Sequence, residues 1–320
     1  MKRYEPEVTV NDPCVICGSD SSELLFETEF KKFNYNGVFF MRTCSGCGLR
    51  FSSPRLSEDN IASLYGEDYY VFSKSDESYF ARTAEIYDRT IGILDQPAGL
   101  PKRAAEVGSG KGYLLAVLDK LGWETYGIEI SDTAAEYAKQ QFGVESFTGK
   151  IEDYFAAGAA EEPFSAVLCI DIIEHVTDPD VFVRDLARLT AKGGTVIIDT
   201  PNGGAWHIGK EGADWRGFNP FHIYLFNEKN LTALLERHGF KVTKAFTYNN
   251  FASRRKGAFS YTRSLFDRLF GRKPRPEAKL LSECVETCRN AQGYWKTEDA
   301  KGDLAEGCRG ENLVIFAEKT

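Results

Sequence analysis

The chain has 320 residues, with 39 Lys and Arg against 47 Asp and Glu, a formal net charge of −8. That length buries one full α/β core and a smaller appendage, and the acidic balance sets the overall field against nucleic acid and anionic membranes. The first residues, Met1-Lys-Arg-Tyr-Glu-Pro-Glu-Val, hold no apolar signal core, and no run approaches the roughly 18 apolar residues of a membrane span, so the sequence reads as cytoplasmic.

Eight cysteines in a reducing compartment are not a disulfide framework, so their spacing must say what they do. Cys14-Val-Ile-Cys17-Gly18 and Cys44-Ser-Gly-Cys47-Gly48 are two C-x-x-C-G knuckles, and Asn36-Gly37 between them is a hairpin signal. Two knuckles joined by a hairpin predict a zinc ribbon over 1–56. Its four thiolates complete a tetrahedral Zn2+ and leave no open position, so the site is expected to be structural. Cys284 and Cys288 share a helix face and with Cys308 give either a three-thiolate metal site or, the commoner case, buried free thiols. A connector over 57–100 follows, with a helix expected from Ser78 to Leu94.

From Pro101 strand and helix alternate, as a parallel doubly wound sheet requires. Strands are predicted at Arg103–Val107, Thr125–Ile130, Val144–Thr148, Phe164–Ile170, Gly194–Thr200, Lys241–Thr247 and in the tail Asn312-Leu-Val-Ile-Phe-Ala-Glu. Helices are expected up to Leu121, over Asp132–Phe142 before Gly143, after the cap Asp178-Pro179, and from about Asn227 to His238 before Gly239. The expected fold is therefore α/β, a doubly wound seven-stranded sheet over 101–250 and 311–320. An insertion over 251–310 precedes the last strand. Within 251–280, nine Lys and Arg face only Asp267 and Glu277, and Phe259, Leu265, Phe266, Leu269 and Phe270 recur at near-helical spacing. A basic amphipathic helix is expected, either packed on the core, closing over a diphosphate-bearing substrate, or resting peripherally on anionic lipid through 254–275.

The chemistry gathers at the carboxyl ends of the strands, where open α/β sheets bind ligands. Glu106-Val-Gly108-Ser-Gly110-Lys-Gly112 is a strand end, a glycine turn and a helix start, a loop whose backbone can approach a ligand closely. The dinucleotide fingerprint wants a further glycine at 113, where Tyr113 stands. Instead Glu106 precedes the turn and Glu129 closes the next strand, where a carboxylate can hold two ribose hydroxyls. Glu152 follows the third strand, placed to receive an adenine amino group or simply to sit at a helix start. The fourth strand ends in Asp171-Ile-Ile-Glu174-His175-Val-Thr-Asp-Pro.

The glycine loop, the acid at Glu129 and the Glu-His-Val-x-Asp-Pro run resemble the class I S-adenosylmethionine-dependent methyltransferases, in particular a branch that includes quinone-precursor and sugar methyltransferases. The resemblance implies S-adenosylmethionine as cofactor, with Glu106, Gly108, Gly110, Gly112, Glu129, Ile130, Glu152 and Asp171 as its binding residues. Similar zinc-ribbon methyltransferases act on nucleotide-linked sugars and related small molecules, which implies a small-molecule acceptor methylated on oxygen or carbon. The Asp/Asn-Pro-Pro-Phe/Tyr signature of exocyclic-amine and amide methylation is absent at Ile170-Asp171-Ile-Ile, which disfavours N-methylation of a base or glutamine side chain.

Methyl transfer needs a nucleophile aligned in line with the sulfonium methyl and a base to take its proton. Of four histidines, His222 is the first choice as base, and His175 either shares that role or orients the loop under the cofactor; His207 ranks third and His238 sits at a helix end. The loop from Trp206 through Trp215-Arg-Gly-Phe-Asn-Pro-Phe-His222 is expected to wall the acceptor site. Two alternatives remain open at this stage: an RNA acceptor gripped by the ribbon, against which the few basic residues of 10–56 count, and a non-catalytic cofactor-binding scaffold.

Overall fold

The computed structural model describes residues 13–30, 37–62, 76–87, 92, 94, 96–159, 162–249, 277–295 and 309–320. In chain order the elements are β1 (Ser22–Phe30), β2 (Gly37–Cys44), β3 (Arg50–Ser52), α1 (Glu58–Ala62), α2 (Asp76–Ile86), β4 (Arg103–Val107), α3 (Tyr113–Lys120), β5 (Glu124–Glu129), α4 (Asp132–Phe142), β6 (Ser146–Thr148), α5 (Ile151–Ala156), β7 (Phe164–Ile170), α6 (Pro179–Leu189), β8 (Thr190–Pro201), α7 (His207–Glu211), β9 (Tyr224–Leu225), α8 (Glu228–Arg237), β10 (Phe240–Tyr248), α9 (Glu277–Trp295) and β11 (Asn312–Lys319).

Seven strands form one sheet in the order β10-β11-β8-β7-β4-β5-β6. β4 pairs in parallel with β5 and β7, β7 with β8 and β5 with β6, whereas β11 runs antiparallel to both β8 and β10. The sheet is thus mixed, parallel through its centre. Strand alternation splits the core into two layers: Val196 and Ile198 of β8 join Leu231, Leu234 and Phe182 on one face, while Ile197 joins Leu115 and Leu118 of α3 on the other.

Local chemistry accounts for the helix starts. Asp178 accepts hydrogen bonds from Asp180 N and Val181 N at 3.1 and 3.0 Å with Pro179 at the first helical position, and Asn227 accepts one from Asn230 N at 3.0 Å. Ser131 caps α4 in the same way, and Gly143 ends that helix with φ 71°. α3 starts later than the sequence suggests, at Tyr113, because Gly112 is left-handed at φ 74°. α9 packs on α2 and α3, burying Leu281, Cys284, Val285 and Cys288 in the layer that holds Phe80 and Tyr87. Cys284 and Cys288 are therefore buried thiols of the core, and Cys284 Sγ lies 3.6 Å from Phe80 O. Cys308 and the basic stretch 254–275 lie outside the described residues.

The N-terminal segment that carries the four cysteines, expected to be a zinc ribbon, does not stand apart. Its sheet has the order β1-β2-β3-β9, and β9 comes from the chain between β8 and α8 of the large domain. Phe30↔Gly37 closes the β1–β2 register, so the hairpin expected around Asn36-Gly37 forms, with its turn outside the described residues. Among the described residues no helix is long and apolar enough to cross a membrane.

Candidate active site

The glycine loop lies at the carboxyl end of β4. Gly108, φ 78°, donates to Ile128 O at 2.7 Å, and a Cβ there would come within 2.2 Å of Ile172 Cδ1. Gly110, φ 52°, is different: a Cβ there would meet nothing within 4 Å. Both positive φ values favour glycine; at Gly108 the protein also crowds out a side chain, whereas at Gly110 the open space lets a ligand lie against the backbone. Glu129 braces the loop from β5, accepting Gly110 N at 2.7 Å and Ser131 N at 2.8 Å, with further acceptor capacity on each oxygen. Glu106 is buried beneath the turn; burial, reinforced by the Glu129 charge, pushes its pKa well above the usual carboxylate range. Its Oε2 has no hydrogen-bond partner among the described residues. An open glycine cradle over a buried carboxyl group with spare capacity fits a polar cofactor. Ile130 is partly buried just past Glu129, and Glu152 is exposed in the first turn of α5.

Two ionic links from α2, which the sequence did not reveal, close one side of this loop. Lys111 Nζ bonds Asp76 Oδ1 at 2.7 Å and lies 4.1 Å from the Tyr137 ring centroid; Tyr113 Oη also bonds Asp76. Arg82, further along α2, pairs with Asp171 at the end of β7. Asp171 has a left-handed φ of 53°, held by its N–H to Asp199 O at 2.8 Å.

The second part of the site follows β7 and β8. Glu174 is fully buried; Thr200 Oγ1 donates to its Oε2 at 2.9 Å, and its Oε1 lies 3.8 Å from His175 Nε2. Burial, with the charge of Asp171, raises its pKa well above the ordinary value. His175 Nδ1 lies 2.9 Å from Phe221 O and His222 Nδ1 lies 2.7 Å from Gly217 O. A carbonyl can only accept, so each Nδ1 carries the proton and each Nε2 keeps a lone pair. The two rings meet edge to face with centroids 4.8 Å apart, and one nitrogen of each histidine and one carboxylate oxygen of Glu174 lie within 4.8 Å of one another. Burial lowers the pKa of His175; burial and the neighbouring His175 lower that of His222 to about 3. The structure therefore brings together the two histidines favoured from sequence, both neutral at physiological pH. His207 instead lies buried at the start of α7 against Trp206, and His238 Nε2 lies 3.1 Å from Asp180 Oδ1 at the end of α8.

The aromatic loop expected to wall the acceptor site is used differently. Trp215 and Phe218 are buried in a cluster with Phe39 and Met41 of β2, and Phe221 is buried with Ile223 and Tyr224; Trp206, about half exposed, stays at the surface. The loop is glue between ribbon and core, and His222 emerges from it.

In the ribbon, Cys14 Sγ lies 3.7 Å from Cys47 Sγ and Cys17 Sγ 3.5 Å from Cys44 Sγ, all four within 4.8 Å of one another. Thiolates about 2.3 Å from a central Zn2+ would stand about 3.8 Å apart at tetrahedral corners, so the cluster has the size the metal requires. The tight turns are set by Gly18 N to Cys14 O at 2.8 Å and Gly48 N to Cys44 O at 2.9 Å.

A family model for a methyltransferase domain matches residues 77–245, from α2 to β10. The chain belongs to that family. Curated relatives include the ubiquinone biosynthesis O-methyltransferases of Caulobacter sp. strain K31, 36% identical over 107 residues, and of Cupriavidus pinatubonensis, 34% identical over 129 residues. These matches cover 31% and 39% of this chain and 41% and 52% of the relatives, so the chain spans about half the length of the curated relatives it matches. Among solved structures, magnesium protoporphyrin IX methyltransferase from Synechocystis PCC 6803 with bound SAH superposes with a TM-score of 0.48 at 12% identity, covering 82% of this chain and all of that one.

Proposed function

We propose that this protein transfers a methyl group from S-adenosylmethionine to an oxygen or carbon of a small molecule, with a nucleotide-linked sugar or a related polysaccharide or natural-product precursor as the acceptor class. The observation that carries this reading is the pair of neutral histidines, each with Nδ1–H tied to a carbonyl and Nε2 left as acceptor, where His175 follows the carboxyl end of β7 beside parallel β4, whose carboxyl end carries the open glycine cradle. The relatives' named activity, O-methylation, agrees with an oxygen acceptor.

Gly108, Gly110, Gly112, Glu106, Glu129 and Ile130 would hold the cofactor, with Asp171 and Glu152 at its margins; when bound it supplies an electrophilic methyl group. The chain's own task is to align the acceptor and receive its proton. His222 Nε2 takes that proton as the acceptor oxygen bonds to the methyl carbon and turns strongly acidic, so that even the weakly basic buried imidazole can accept it, and the backbone carbonyl at Gly217 stabilises the imidazolium that results. His175 holds the adjacent wall, and Glu174, whose pKa burial and the Asp171 charge raise well above the ordinary value, lies behind it. Four cysteines hold Zn2+ as a structural centre, since all its coordination positions are filled by thiolates. The test is transfer of labelled methyl from S-adenosylmethionine into a cell extract of small metabolites and, separately, into total RNA. Label in a nucleotide-sugar fraction supports the reading and identifies the acceptor by mass; label only in RNA overturns it.

A further inference from the structure

The metal knuckles and His222 are joined by an unbroken run of short contacts. Cys47 is three residues from Arg50, where β3 begins, and Cys44 N bonds Leu49 O at 2.8 Å, so the second knuckle sets the position of that strand. β3 pairs antiparallel with β9 through Arg50↔Leu225 and Phe51↔Tyr224, and Ser52 N donates to Ile223 O at 2.9 Å. Ile223, the residue after His222, donates in turn to Glu174 O at 2.7 Å. Side chains repeat the link: Arg55 Nη1 donates to Tyr224 Oη at 2.7 Å, and Arg50 donates to Gly203 O, in the turn after β8. Gly203 N donates to Phe226 O at 2.7 Å, and a Cβ on Gly203 would stand 2.2 Å from Leu225 O, so this turn has no slack against β9. The first knuckle is held from the other side by Arg237 of α8, whose Nη2 donates to Ile16 O at 2.5 Å. Ile16, Cys44 and Leu49 share one apolar cluster with Phe221, Ile223 and Tyr224.

We propose that the cysteine ribbon is a positioning device for the proton acceptor: metal-fixed β3 holds β9, and β9 holds His222 against His175 and Glu174. Arg55 and Tyr224 are positioning residues in this scheme, since neither needs to touch acceptor or cofactor. The inference rests on the proposed role of His222. It gives the ribbon a task in the large domain that requires no contact with substrate, and it explains why the aromatic residues of the His222 loop are spent on Phe39 and Met41.

A two-residue strand cannot keep its place by its own hydrogen bonds, so loosening β3 should let water reach His222. Among the described residues, those facing His222 are His175 and, behind it, Glu174, and its ring also contacts Gly217 O. Hydration relieves the burial that keeps the imidazole neutral, and its titration midpoint should climb toward the ordinary histidine value. The experiment uses the full, zinc-loaded chain labelled with 13C in histidine, whose four resonances are followed with pH, His222 being assigned from His222→Gln. Zinc content is read by atomic emission, and calorimetry with S-adenosylhomocysteine probes the glycine cradle.

In Arg55→Met and Tyr224→Phe the proposal expects retained zinc, probe affinity within about twofold, and a His222 midpoint raised by about one pH unit or more. Chelating the metal from the unmutated protein should raise the midpoint likewise. Both side-chain variants leave the cysteines intact, so they remain informative if zinc-free protein unfolds. An unmoved midpoint in both variants overturns the proposal, as does a midpoint that moves only together with lost probe affinity, which would mean general loosening. Failure of the base assignment is seen elsewhere: His222→Ala would then leave methyl transfer unchanged, whatever the titration shows.

Discussion

Lys111→Met isolates the link that ties α2 to the glycine loop. Lys111 is only 5% exposed, its ammonium 2.7 Å from Asp76 Oδ1 and over the Tyr137 ring, and methionine can fill the same aromatic cage. The change removes a charge-assisted hydrogen bond, about 1.5–3 kcal/mol, and a partly desolvated cation–π contact, about 1 kcal/mol. The Asp76 side chain is 27% exposed and keeps the Tyr113 hydroxyl, which softens the loss, so the net cost should be about 2–3 kcal/mol. Urea unfolding of the full chain measures it. The pH dependence supplies a second check: burial raises the Asp76 pKa, but the Lys111 and Tyr113 hydrogen bonds outweigh it and hold it below the ordinary aspartate value. A depressed carboxyl pKa stabilises the fold above the unfolded-state pKa and loses that contribution as pH falls through the folded one. The gap between the two proteins should therefore be full at pH 7 and shrink as the solution is acidified below about pH 4. Adding Asp76→Asn to Lys111→Met should recover about 1 kcal/mol by removing the stranded carboxylate. A cost below about 0.5 kcal/mol at pH 7, or no recovery in the double variant, would refute the account of this link.

Gly110→Val should abolish S-adenosylhomocysteine binding in calorimetry, because the new side chain enters the open space in front of the loop and the left-handed φ of 52° is strained for valine; the far-UV circular dichroism should keep its shape while the melting temperature falls. Cys44→Ser should lose zinc by atomic emission and lower the melting temperature, since Cys44 is buried at 2% exposure in the cluster that includes Leu49 and Ile223. Asp178→Ala should cost about 1 kcal/mol in urea unfolding, as two backbone donors of α6 lose their acceptor.

What the sequence made legible was local. The expected bounds of β4, α4 and β7 coincide with those observed, because apolar alternation and the caps at Ser131 and Gly143 lie within the elements they define. β8 is longer than expected, running from Thr190, since Thr190 pairs with Phe164 of β7 and the register then slips past Ala191–Gly194, with Gly193 left-handed at φ 75°, before Thr195 pairs with Ala166. The two knuckles and the Glu174-His175 run were visible as spacing and as motif. What stayed hidden is non-local: β9 has two residues and exists only because β3 lies beside it, and the Lys111–Asp76 and Arg82–Asp171 pairs join positions 35 and 89 residues apart. The aromatic loop misled because its composition suits a pocket wall and an interdomain core equally well, and only packing against Phe39 and Met41 decides between them.

The most direct test of the central claim compares the unmutated protein with His222→Ala in labelled methyl transfer from S-adenosylmethionine to the small-metabolite extract, with S-adenosylhomocysteine affinity measured on both. The account predicts label in a small hydroxylated acceptor and transfer lowered by about 10²-fold or more in the variant, at nearly unchanged cofactor-analogue affinity. With the His222 pKa at about 3, the unmutated rate should also hold as the pH is lowered from 8 toward 5, because the imidazole stays neutral there. Equal transfer by both proteins would contradict the assignment of His222, and label confined to RNA would contradict the function itself.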